Sequence, residues 1–72
     1  MVLIAKGTTQ INGTQLVQIL VPVITATSQV LFTSSTGNAG IIVRSEITPG
    51  EGFGISSTDP NDQGTVGWQV WE

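Results

Sequence analysis

The groups in this chain that could do chemistry are five carboxylates (Glu46, Glu51, Asp59, Asp62 and Glu72), the cations Lys6 and Arg44, and a large stock of Ser and Thr hydroxyls. Histidine, cysteine and tyrosine are absent. That removes the usual activators of a nucleophilic serine and the usual ligands of a structural zinc. Two carboxylates act as general acid and base when they flank a scissile bond, but no two of these five fall at a spacing that pairs them independently of the fold. The sequence therefore predicts a protein that binds and does not catalyse, with no catalytic residue, metal ligand or cofactor.

Two short stretches look like sites at first sight. "DPNDQG", Asp59 to Gly64, begins like a calcium loop, with Asp, Asn and Gly at its first, third and sixth positions. Its fifth position is Gln63, and the acid such a loop needs at its twelfth falls on Val70, so a solvated Asp-Pro and Asn-Asp turn explains it better. "GEGFG", Gly50 to Gly54, resembles part of a dinucleotide fingerprint, but a β pattern follows it where a phosphate-binding helix should start. A hairpin turn and a bulge account for its glycines. The sequon Asn12-Gly13-Thr14 reads as a turn.

Charge and hydropathy narrow the partners. The formal net charge is −3, and two scattered cations make no phosphate-binding patch, which argues against nucleic acid and against an anionic membrane surface. The longest apolar stretch, "LVQILVPVI" from Leu16 to Ile24, is broken by Gln18 and Pro22. It is far short of the roughly 20 residues a membrane span requires. The start "MVLIAK" lacks the basic region and the length of a secretory signal.

The elements that position these groups are strands. Ten Thr, eight Val and eight Ile make 26 of 72 residues β-branched, and nine Gly and three Pro punctuate them. The expected strands cover Leu3–Ile11, Thr14–Val21, Gln29–Thr33, Ile41–Ile47, Phe53–Ser57 and Thr65–Trp71. Asn12-Gly13 suits a type I′ hairpin between the first two, and Pro22 sends the second to a sheet edge or a bend. The fold class is all-β, a small antiparallel sandwich or barrel of about six strands. A chain this short gains from burial about what it spends on ordering, and it has no disulfide. Self-association is the remaining source of buried area.

Alternation assigns the faces. Val66, Trp68 and Val70 share one side of the last strand, Phe53 and Ile55 one side of the strand before it, and Val43 leads the inward set of the fourth. These six are the expected core. Trp71 and Gln69 point away from it, and with Leu3 and Ile4 they form the expected contact between subunits, because aromatic residues gather at interface centres.

From Ile24 onward the chain resembles the small β-modules of tailed-phage structural proteins, the trimeric capsid decoration (cement) proteins and the C-terminal tips of tail fibres. The resemblance rests on "ITATSQVLFT", "IIVRSEI", "PGEGFGISS" and the closing "TVGWQVWE". It implies a homotrimer without enzymatic activity, whose partners are its own copies and the major capsid protein. The chain starts with Met1 and has little beyond the module, which favours a stand-alone decoration protein. On that reading it stabilises the phage head by bridging capsomers on the outer surface of the virion, after synthesis in the host cytoplasm. The alternative is a tail-fibre tip or receptor-binding module. Residues 24–72 would form the sandwich, and residues 1–23 an N-terminal arm or hairpin that reaches a neighbour.

Overall fold

Short β-branched runs separated by glycine and proline form six strands in a computed structural model that describes all 72 residues. They are β1 (Leu3–Gln10), β2 (Val17–Leu20), β3 (Gln29–Thr36), β4 (Ile42–Arg44), β5 (Gly52–Ser57) and β6 (Thr65–Trp71). Two three-stranded antiparallel sheets result, ordered β1-β6-β3 and β2-β5-β4. The two strands latest in the chain are thus the centre of each sheet.

The core lies between those central strands. Phe53 and Ile55 of β5 and Val66, Trp68 and Val70 of β6 are buried, joined by Ile11, Ile19, Val21 and Ile24. The rings of Phe53 and Trp68 meet edge to face, with centroids 5.7 Å apart and planes at 87°, the arrangement that aromatic quadrupoles prefer. The Trp68 indole packs against Gly7 and donates its N–H to Thr9 Oγ1 at 3.1 Å. Its one polar atom is therefore satisfied inside the sheet.

Three expectations need correction. Val43 is 47% exposed. Ile42 packs against the core in its place, and Ile47 also faces inward. The two can share a side because β4 ends at Arg44 and the residues between are irregular, which breaks the alternation that linked Val43 to Ile47.

The Asn12-Gly13 turn forms, with Gln15 N–H donating to the Asn12 carbonyl at 3.1 Å. Gly13 has φ 59° and no residue other than glycine has positive φ, so the turn carries the φ signs of type II′ and not I′. It joins no hairpin: β1 pairs with β6 and β2 with β5, so this turn carries the chain from one sheet to the other.

For the same reason residues 1–23 are not a separate arm. β1 is matched to β6 along its length, from Leu3 opposite Trp71 to Gln10 opposite Thr65, and β2 supplies Ile19 to the core. Pro22 does follow an edge strand, which ends at Leu20. "TPGE", Thr48 to Glu51, forms a turn closed by Glu51 N–H on the Thr48 carbonyl at 3.0 Å, with Gly50 at φ 79°. Proline second and a positive-φ glycine third are the residues a type II turn selects.

The core comprises nine buried hydrophobic side chains, and a domain of this length has a stability of roughly 4 to 10 kcal/mol. Trp68→Ala should cost about 3 to 5 kcal/mol, the transfer and cavity terms together. Urea denaturation followed by circular dichroism is expected to show a strongly lowered midpoint. A midpoint close to that of the parent would contradict this packing.

Candidate functional site

Three places gather polar groups: one end of the sandwich around Asp62, the joined chain ends around Glu72, and the outer face of the β1-β6-β3 sheet.

Asp62 is fully buried, which corrects the expectation of a solvated loop. The local turn is present, since Asn61 N–H donates to Asp59 Oδ1 at 2.8 Å and Asp62 N–H to the Asp59 carbonyl at 3.1 Å. Its purpose is to turn Asp62 inward. There Oδ1 accepts from Gly64 N–H at 2.9 Å and from Asn38 Nδ2 at 3.1 Å, and Oδ2 accepts from Gly40 N–H at 3.2 Å. The Asp62 carbonyl accepts from Gly13 N–H at 2.7 Å. Burial pushes the carboxyl pKa up, but hydrogen bonds from the Gly64 amide, the Ser57 hydroxyl, the Gly40 amide and Asn38 outweigh it and hold the value at about 2. This carboxylate is a structural tie, with its acceptor positions already taken.

Glu72 ties the opposite end. Its Oε1 accepts from Thr25 Oγ1 at 2.7 Å and Thr27 Oγ1 at 2.8 Å, and these bonds hold its pKa below the usual range. Val2 and Glu72 also exchange backbone hydrogen bonds at 2.7 and 2.8 Å. Each end of the chain thereby anchors the other.

The outer face of the β1-β6-β3 sheet carries an open groove of about 370 Å³. Gly67 sits at its middle on the central strand, paired with Thr8 on β1 and Ser34 on β3. A Cβ on Gly67 would lie 2.5 Å from Ser34 Oγ and 2.8 Å from Thr33 Oγ1, so the two hydroxyls lean over the bare backbone. Lys6 and Gln69, a cross-strand pair, border the groove on the side of Trp71. Lys6, Thr8, Thr33 and Ser34 make no side-chain hydrogen bond within the chain, in contrast to the committed hydroxyls of Thr9, Thr25, Thr27 and Ser28. Sequence reasoning missed this groove. Its one signal was a glycine in mid-strand on an outward position, which often marks close approach of another group.

Of the residues expected at a subunit contact, Leu3, Gln69 and Trp71 lie on this outer face, with Leu3 directly opposite Trp71. Ile4 sits where the register shifts between Leu3 and Ala5 and packs against the core. Trp71 is half-buried, and its indole N–H donates to Gln69 Oε1 at 3.0 Å.

The family described as "K1 capsule-specific polysaccharide lyase, C-terminal domain" matches residues 2–71. The chain belongs to this family. No curated protein matches it, and no solved structure does. The match takes in β1 and β2 together with the rest, as one unit, and agrees with the resemblance to small phage β-modules. Within that resemblance it sides with the tail-spike and fibre type over the capsid decoration protein.

The Asp62 tie has a definite pH signature. The folded pKa of about 2 lies below the ordinary 3.8, so its contribution to stability is complete above about pH 4 and is lost as the pH falls toward 2. The urea midpoint is expected to drop across that window. Asp62→Asn should lower the midpoint at neutral pH, because an amide cannot accept the same set of donors, and should flatten the acid branch. What remains of the acid loss belongs to Glu72, whose lowered pKa acts in the same direction. An unchanged acid branch in Asp62→Asn would overturn the assignment.

Proposed function

We propose that this chain is a non-catalytic module of a phage tail-spike-type protein, carried on the virion tail, which holds host-surface polysaccharide and works as a homotrimer. Membership of a polysaccharide lyase C-terminal domain family over residues 2–71 carries the reading. Capsid decoration, the first expectation from the phage resemblance, draws no support from that membership. The non-catalytic part rests on the carboxylates: Asp62 and Glu72 are committed to hydrogen bonds at opposite ends of the sandwich, and Glu46 and Glu51 lie in the connection between β4 and β5.

For the trimer contact we favour the outer face of the β2-β5-β4 sheet over the Trp71 face. Trp71 already has a partner for its N–H and is half-buried. On the other sheet Leu16 and Leu20 of the β2 side and Val43 of β4 are 45%, 79% and 47% exposed. They flank a central strand that presents only Gly52, Gly54 and Ser56 outward. Leu16 lies over Gly54, and exposed apolar side chains grouped on this face suit packing against another copy. Three linked copies would raise the avidity for a repeating polymer well above the affinity of one.

Two measurements test this. The purified chain mixed with K1 capsular polysaccharide should bind saturably by calorimetry and leave the polymer length unchanged by size-exclusion chromatography. Absence of binding, or shortening of the polymer, would defeat the corresponding half of the reading. Light scattering at micromolar concentration should give about three chains per particle for the parent and for Trp71→Ala, and one for Leu20→Glu. A monomeric parent would remove the trimer.

A further inference from the structure

The two sheets differ in what they offer a ligand. The concavity beside β2 and β5 is lined by Gln18, Leu20, Thr48, Glu51 and Gly52 and so carries a carboxylate, whereas the β1-β6-β3 face carries a groove lined by hydroxyls, an amide and an ammonium group. Its charge also differs from that of the whole chain. The net charge is −3, yet no acidic residue lies on β1, β3 or β6, and Lys6 is their one charged side chain. Glu72 follows directly after β6, but its carboxylate is turned to Thr25 and Thr27. Charges farther away than the screening length of about 8 Å at physiological salt contribute little. Among the residues that line the groove, Lys6 is the one charged group.

We propose that this groove binds an acidic saccharide unit, with the Lys6 ammonium donating to the sugar carboxylate and the hydroxyls of Thr8, Thr33 and Ser34 exchanging hydrogen bonds with the sugar hydroxyls. The inference rests on the polysaccharide-holding reading and adds to it a place on the fold and a chemical class of ligand. Gly67 supplies the depth, because any side chain there would meet Ser34 and Thr33 and fill the groove from below. Gln69 acts twice, as a groove wall through its amide and as the acceptor that fixes the Trp71 indole on the same face. A pyranose presents hydroxyl edges and C–H faces. The polar groove suits the edges, and an oriented aromatic ring beside it suits a face. The free state costs little, since the unpaired donors are open to water, and a ligand need only replace that water.

Calorimetry with oligosaccharides cut from K1 capsular polysaccharide tests this, with dextran oligomers as a neutral comparison. The parent should bind the capsular oligosaccharide and not dextran. Lys6→Gln should weaken binding about tenfold or more, the usual scale for losing one charge-assisted hydrogen bond. Thr8→Tyr should block the groove and abolish binding, with the melting temperature checked in each variant. Arg44→Gln changes the net charge by the same amount as Lys6→Gln but lies on the other sheet, so it should bind like the parent. Amide shift mapping on the parent should place the largest changes at Thr8, Ser34, Gly67 and Gln69. Binding that survives Lys6→Gln and Thr8→Tyr, equal weakening by Lys6→Gln and Arg44→Gln, equal binding of dextran, or shifts confined to β2, β4 and β5 would each overturn the groove while leaving polysaccharide binding in place. A parent that binds neither oligosaccharide would overturn both.

Discussion

The buried carboxylate of Asp62 is the interaction on which the rest of the arrangement depends. A sandwich in which every connection but the one from β4 to β5 passes between the sheets must carry those connections across its ends, and each crossing leaves backbone N–H groups that no ladder satisfies. At this end three connections meet: the β1–β2 turn through Gly13, the β3–β4 connection through Asn38 and Gly40, and the β5–β6 loop through Gly64. One residue serves all three with its two carboxylate oxygens and its carbonyl. A buried donor left without a partner costs more than a hydrogen bond gains, so a single central acceptor is an economical arrangement for a chain of 72 residues. Its ionised state follows from the same geometry, because the donors that need it also hold its proton affinity down.

With the ends tied, a small core suffices to orient the sheets. Each sheet has its central strand last or nearly last in the chain, and the β1–β6 pair spans most of its length. Such long-range pairing folds slowly relative to local structure. The edge-to-face contact of Phe53 and Trp68 joins the two central strands directly, so the same two segments organise both the hydrogen bonding and the apolar packing. The outer faces are then free to differ. One keeps exposed leucine and valine, with Leu16 laid over Gly54, and the other keeps hydroxyls and a lysine around a glycine notch. The proposed binding and self-association would use these two unlike surfaces, which two sheets back to back supply.

What the sequence by itself determined is the class of structure and its central packing. β-Branched residues and glycine spacing specify short strands, and strict alternation in Phe53–Ile55 and Val66–Trp68–Val70 assigns their buried faces, because alternation is a property of one strand and needs no knowledge of its neighbour. The "TPGE" turn was legible for the same reason, its conformation being set by residues in contact along the chain. Val43 was not, since three irregular residues shift the parity between Ile42 and Ile47 and nothing local announces them. The partner of β1 was not either: Asn12-Gly13 looks the same whether it closes a hairpin or crosses between sheets, and the choice is made by β6, more than fifty residues away. At Asp62 the sequence showed only a turn, read as solvated, because Asn38 and Gly40 reach its carboxylate only when the strands between them are in place. The groove is the clearest case. Lys6, Thr8, Ser34 and Gly67 belong to three strands that are adjacent in space and remote in sequence. A surface made across a sheet exists only once the order β1-β6-β3 and its register are decided, because cross-strand neighbours are set by pairing and not by the order of residues along the chain.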